Sequence, residues 1–445
     1  FLTASFVAIC GVAAVAVWQW NNALMGELKA EIKTLETRLV SGEENLEVQL
    51  EVIKHEKRAN GTIAQIQATN VLEKIVNWSG EKQINSLEGH EKDVVGVAFS
   101  PKGDLLATAS GDKTVKLWKP DGTFVKTLEG HEDWVLGVAF SPKGDLLATA
   151  SGDKTVKLWK PDGTLIKTLK DHEDRVRGVA FHPLGNLIAT ASHDKTVKLW
   201  KPDGTLITTL KEHKEDVLSV AFSPKGDLLA TASADNTVKL WKSDGTFVKT
   251  LEGHEDWVRG VTFSPKGDLL ATASRDKTVK LWKADGTLIT TLRGHEDRVI
   301  NFSFSQNGNL LATASVDNTV KLWKADGTLI TTLTEHEGDV LDVAFSPKED
   351  LLATASLDKT VKLWKSDGTL ITTLRGHEEN VNSVAFSPDG KLIASADKTV
   401  KLWKADGTLV KTFDEEHKGM VKDVAFSPDG KLLATASADD TVILW

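Results

Sequence analysis

Histidine, serine and aspartate recur together nine times along this chain. In one copy they are His131, Ser151 and Asp153, followed by Trp159; in another, His254, Ser274 and Asp276, followed by Trp282. Such a set could perform nucleophilic acyl hydrolysis, the imidazole taking the hydroxyl proton and the carboxylate holding the imidazole. Nine equivalent centres make little sense for one enzyme, however, and no Gly-x-Ser-x-Gly turn lifts a serine out of a sheet. The stretch SGDKT at 110–114 lacks the glycine spacing of a phosphate loop, and no His-Glu-x-x-His occurs. A single cysteine, Cys10, leaves neither a disulfide nor a cysteine-paired metal site. The expectation is a chain with no catalytic residue, metal, cofactor or small-molecule substrate.

The elements that position these residues follow from a repeat. The marker histidines are His90, His131, His172, His213, His254, His295, His336, His377 and His417, mostly 41 residues apart. A fixed period of this size marks a repeat architecture. Each unit holds four short runs of strand-forming residues, such as FVKTL (124–128), WVLGVAF (134–140), DLLATAS (145–151) and TVKLWK (155–160). Pro-Asp-Gly at 120–122 and Pro-Lys-Gly at 142–144 separate them as turns, leaving no room for a helix. A four-stranded sheet apolar on both faces cannot stand alone and must stack on its neighbours.

With Gly-His near its start and Trp near its end, the unit resembles the WD-40 repeat of β-propellers over residues 82–445. The residue after the Trp is Lys in the inner copies (Trp118-Lys119, Trp159-Lys160) rather than the Asp of the family's name. The resemblance implies an all-β fold, a single closed nine-bladed propeller; the alternative is a ring of seven or eight blades with the remainder in a second propeller. A strand near Gln83–Leu87 precedes the first Gly-His, and the last unit stops at Trp445 without an outer strand, so the two ends are expected to close one blade. The eighth unit is two residues short (GKLIASADKTV, 390–400) and should keep its blade with a trimmed strand. The resemblance also makes His131, Ser151, Asp153 and Trp159, like His254, Ser274, Asp276 and Trp282, a structural network. In it Asp and Ser bond to His, and Ser accepts from the indole.

Three positions vary widely among the units. Three residues after the His stand Trp134, Arg175, Trp257 and Arg298, among others; five after it, Arg177, Leu218 and Arg259; just before the Asp, His193, Arg275 and, in the eighth unit, Ala396. In the resembled family all three lie on one rim, around the mouth of the central channel. Trp134, Arg175, Arg177, His193, Trp257, Arg259, Arg275 and Arg298 are therefore the candidate binding residues. Trp and Arg suit a hot spot for an acidic or aromatic protein or peptide. The chain of 445 residues carries a net charge of −9, which speaks against nucleic acid as the partner.

Residues 1–20 carry no charge, and as a helix residues 1–18 would span about 27 Å, close to a bilayer core of about 30 Å. A single-pass membrane anchor is expected there, with Trp18 and Trp20 at the interface. Mixed charges at Glu27, Lys29, Glu31 and Lys33 set no orientation. Leu24, Leu28, Ile32, Leu35 and Leu39 pattern an amphipathic helix within a helical neck over 21–81. Anchor, neck and near-identical repeats together resemble cyanobacterial signalling NTPases of the STAND/NACHT-like type, which implies a sensor module with an NTPase ahead of Phe1.

Overall fold

The computed structural model describes residues 85–348, 350–413 and 417–445, and the expected anchor (1–20) and neck (21–81) lie outside them. Strands are numbered β1 to β36 in chain order, and they form nine four-stranded antiparallel sheets. In blade one the order from the channel outward is β2 (Val94–Phe99), β3 (Leu106–Ser110), β4 (Val115–Trp118) and β5 (Phe124–Leu128).

Burial explains the composition of each strand. In β3, LATAS is buried at every residue, because neighbouring blades cover both faces. Strands covered on both sides lose the in-out alternation of half-exposed sheets. In β5 only Leu128 is buried, while Phe124 faces solvent at the outer edge. Between consecutive blades lies a small apolar core. Ala107, Val115 and Leu128 of blade one meet Val135, Leu147 and Trp159 of blade two there. Nine such cores occur, one for each seam.

The ring closes through its ends. In blade nine β34 (Val421–Phe426), β35 (Leu433–Ser437) and β36 (Val442–Leu444) are completed by β1 (Asn85–Leu87), Asn85 pairing with Leu444 and Leu87 with Val442. The ninth seam joins Val94, Leu106 and Trp118 of blade one to Leu87, Ala434, Ala436 and Leu444 of blade nine. Closure leaves no blade face open to solvent.

Blade eight keeps four strands, and the shortened one is the innermost. The second strand, β31 (Leu392–Ala396), retains five residues. The innermost, β30 (Ser383–Phe386), has four where β2 has six. Its register with β31 is unbroken, whereas the innermost strand of each other blade carries a bulge, as at Val94/Gly96. Ala396 is buried within β31 and is no rim residue, contrary to the alignment by the Asp.

Candidate functional site

Blade two shows the histidine network in full. Asp153 Oδ2 lies 2.7 Å from His131 Nδ1. A carboxylate can only accept, so Nδ1 carries the proton and Nε2 accepts. Its donor is the hydroxyl of Thr149, at 2.8 Å, which in turn accepts the Trp159 indole N–H at 3.0 Å. Ser151 is not in this chain, which corrects the sequence reading. Its hydroxyl bonds Asp133 O at 2.9 Å and accepts the Asp153 amide at 3.1 Å. Blade five repeats the pattern: His254 bonds Asp276 and Thr272, Trp282 donates to Thr272, and Ser274 binds Asp256 O. Thr149 and Ser151 are two apart on one strand and share a face, so spacing alone could not separate them. In blade eight a serine does fill the hub, Ser395 taking His377 at 2.7 Å and Trp403 at 2.8 Å.

Burial pushes the Asp153 carboxyl up, but hydrogen bonds from His131, Thr155 and the Glu132 amide outweigh it and hold it far below the usual carboxylate range. Thr149 and Ser151 are fully buried. A hydroxyl sealed between an indole and an imidazole has no access to substrate. The network satisfies buried polar groups and ties the loop of Ser151 and Asp153 to the sheet.

The three variable positions come together on every blade but the eighth. The amide of the residue before the Asp donates to the carbonyl of the residue three after the His, as His193 to Arg175 at 3.0 Å and Arg275 to Trp257 at 3.0 Å. The residue five after the His sits at the bulge: Arg177 in β10 (Val176–Phe181), between Val176 and Gly178, and Arg259 in β18 (Val258–Phe263), between Val258 and Gly260. Bulges at rims re-aim side chains.

Blades three, five and six then form one basic group. Burial, followed by the positive charges of Arg275, Arg177 and Arg298, pushes the Arg259 guanidinium below its usual value. The Arg275 guanidinium lies 4.1 Å from the centre of the exposed Trp257 ring, a cation–π stack. Its Nε is buried without a partner. Three candidates stand outside this group. Arg175 is exposed, its backbone amide held by Asp174 and its carbonyl by the His193 amide. His193 pairs with Asp216 of blade four at 3.3 Å. Trp134 lies over Gly111 of blade one, where an added Cβ would sit 3.2 Å from its ring.

One feature escaped the sequence reading. Six residues after the His, most blades have Gly or Ser, but blades six, seven and nine have Asn301, Asp342 and Asp423. Asp342 accepts from Asn301 Nδ2 at 2.6 Å, the Val343 amide at 2.8 Å, the Val384 amide at 3.0 Å and Ser383 Oγ at 3.2 Å. It thus staples blades six, seven and eight along their inner strands. Burial raises both carboxyls, and the Asp342 charge adds to the rise at Asp423. Gly, Ser and Asp at one position give no periodic signal, and only the pairing register shows that they form a belt.

Among the described residues no helix is long and apolar enough to cross a membrane, and no group of three or more His, Cys, Asp or Glu could hold a metal ion.

Comparison with known proteins adds the family. The model described as "WD domain, G-beta repeat" matches residues 81–119, 122–160, 163–201, 204–242, 245–283, 286–324, 327–365, 368–404 and 407–445. An uncharacterized WD repeat-containing protein of Synechocystis sp. is 39% identical over 77 residues, 17% of this chain and 6% of that protein. A U4/U6 small nuclear ribonucleoprotein PRP4-like protein of Arabidopsis thaliana is 54% identical over 41 residues, 9% of this chain and 7% of that one. A probable cytosolic iron-sulfur protein assembly protein CIAO1 homolog of Chlamydomonas reinhardtii is 57% identical over 35 residues, 8% of this chain and 10% of its own length. The chain thus spans about a tenth or less of these relatives. Among solved structures, the computationally designed Ika8 protein aligns with TM-score 0.58 and 27% identity, over 72% of this chain and 98% of its own.

Proposed function

Since the chain belongs to the WD40 family, with nine repeats matched between residues 81 and 445, we propose that it is a docking scaffold whose basic arc receives an acidic protein partner. The observation that carries this is the stack of Arg275 on the exposed Trp257, on a rim that also carries Arg177, Arg259 and Arg298. Among the described residues none of Arg177, Arg259 and Arg275 has a carboxylate within ion-pair distance, and Arg298 reaches Asp297 only at 3.9 Å. Like charges gathered on a rigid frame repel, and a partner that neutralises them gains both steering and contact energy. The test is affinity capture by the wild-type chain and by an Arg177→Ala, Arg259→Ala, Arg275→Ala variant, followed by reconstitution with each purified partner. Loss of the reconstituted complex in the variant supports the arc; an unchanged set of partners refutes it.

The proposal extends to the setting of the scaffold. Residues 1–20 tether it to a membrane, and it senses on behalf of an NTPase ahead of Phe1. Support comes from the uncharged, membrane-length stretch and from the likeness to cyanobacterial signalling NTPases. Alkaline carbonate extraction of cells expressing the chain with and without residues 1–20 tests the tether. Release of both forms into the soluble fraction overturns it.

A further inference from the structure

The outer strand of each blade is a sheet edge, with one side of its backbone paired and the other facing solvent. In blade five β21 (Leu288–Leu292) bonds only to β20 (Val279–Lys283), and the other outer strands are placed alike. An unpaired edge is a template for another strand, and lysine on the edge is one way of blocking it.

The edges are not blocked alike. The middle residue of the outer strand is Lys126 in blade one, Lys167 in blade two, Lys249 in blade four and Lys411 in blade eight. In blades three, five, six and seven the strand reads LITTL, and the middle residue is Thr208, Thr290, Thr331 or Thr372. The exchange matters most where an edge meets its own copy. Two identical strands paired antiparallel about their middle residue set that residue opposite itself. Two lysines there repel, whereas two threonines make a favourable pair. About Thr290, this register also sets Leu288 against Leu292 and Ile289 against Thr291. It covers Leu288, which is 43% exposed in the single chain.

Charge at the strand ends then selects among the four uncharged edges. Asp285 lies just before β21 and Arg293 directly after it, both exposed. In the antiparallel register each Asp285 lies diagonally across from Arg293 of the other copy, so two opposite-charge pairs form by symmetry. Blade six has Thr334 in place of the arginine and gains no such pair. Blades three and seven have Lys211 and Arg375 there, but their settings differ. Blade three lies between the lysine-bearing edges of blades two and four. In blade seven the first leucine, Leu370, already packs against a seam core, so pairing covers less. Beside β21 the lysine of blade four is folded down, Lys249 Nζ donating to Gly286 O at 3.0 Å, and blade six offers Thr331.

We propose that the edge of blade five is a self-association surface, on which β21 pairs antiparallel about Thr290 with β21 of a second copy of this chain. The two rings then lie side by side with opposite faces turned up, and both rims stay open to a docking partner. The assignment does not depend on what the rim binds.

Sedimentation velocity of the full chain in density-matched detergent, over a concentration series, tests it. A dimer is expected. Thr290→Lys should weaken it about tenfold or more, because it sets two ammonium groups face to face. Thr208→Lys and Thr372→Lys should change it less than about twofold. Lysine holds this place in four native blades, so the fold tolerates it. Arg293→Asp and Asp285→Lys should each weaken the homodimer. An equal mixture of those two variants should restore a dimer, since every mixed contact again joins opposite charges. Thr290→Cys in a Cys10→Ser chain should form an intermolecular disulfide, because directly opposed Cα atoms stand about 4.5–5.5 Å apart, within disulfide reach. A chain that stays monomeric throughout the series overturns the assignment. So does a dimer that survives Thr290→Lys, one lost instead with Thr208→Lys or Thr372→Lys, or a mixture no more associated than its components.

Discussion

Thr149→Val would test the histidine network most directly. The substitution keeps the shape of the side chain and removes only the hydroxyl. In the native blade that hydroxyl stands 3.0 Å from Trp159 Nε1 and 2.8 Å from His131 Nε2, all within the buried interior. Without it the indole N–H and the imidazole lone pair both lose their partner with no water to replace it. Each buried polar group left unpaired costs about 1–3 kcal/mol, so the variant should lose ~2–6 kcal/mol. Two controls bracket the argument. Thr149→Ser keeps the hydroxyl, as Ser395 does in blade eight, and loses one methyl, worth about 1 kcal/mol. Ser151→Ala removes a bond to Asp133 O and one from the Asp153 amide, near the loop where water can take over, at a cost of about 1–2 kcal/mol. Urea unfolding followed by far-ultraviolet circular dichroism gives the order from the midpoints, provided the slopes match. The reasoning fails if Thr149→Val costs no more than either control.

Acid should unfold the propeller steeply. The network carboxyls of all nine blades, Asp153 and Asp276 among them, are held below their ordinary value. A depressed carboxyl contributes stability in full above its unfolded value of about 3.9 and loses it as pH falls toward the folded one, so the loss is confined to below about pH 4. Circular dichroism across pH 2–7 shows this; His90, held below its ordinary value by burial, adds a smaller loss below about pH 6.5, and the absence of a steep loss below about pH 4 contradicts the argument. Asp423 works in the opposite sense, since burial and Asp342 raise it. A carboxyl raised in the fold costs stability above its unfolded value of about 3.9 and none below it, so Asp423→Asn should stabilise at pH 7 and show no gain at pH 3, measured by urea midpoint at both. Lys154 adopts φ 70, as do equivalent residues in seven other blades. Lys154→Gly should therefore gain up to about 1 kcal/mol in the same assay, and a loss would show that this conformation carries no strain.

Much of this was legible because the chain states it nine times. The units, the strand order and the completion of blade nine by β1 all follow from phase, since a copied unit with an incomplete start and an incomplete end has one way to close. His131, Asp153 and Trp159 were legible for the same reason. Thr149 was not, because Ser151 repeats just as faithfully and lies on the same face of the strand. The limits of the basic group depend on bulges at Val176/Gly178 and Val258/Gly260, which no composition marks. Ala396 misled because alignment by the Asp hides a hairpin two residues shorter. The Asp342 staple was hidden for the opposite reason: it occurs once, and a single event in a repeat carries no pattern.

The pairing of Asn85 with Leu444 sets the order of assembly. The two residues are separated by about 360 positions, so the ribosome releases them roughly 20–70 s apart at ~5–20 residues per second. Blades one to eight can form and dock in sequence as they emerge, each from local hairpins. The ninth waits for the whole chain, and until then β1 is a strand without a sheet. Because every unit offers a nearly identical edge, that early strand meets eight wrong partners before the right one exists. What protects the ring is that each of those blades already has its own outer strand in place. The near-identity that makes the units easy to read is thus tolerable only if every blade completes itself faster than translation supplies the next.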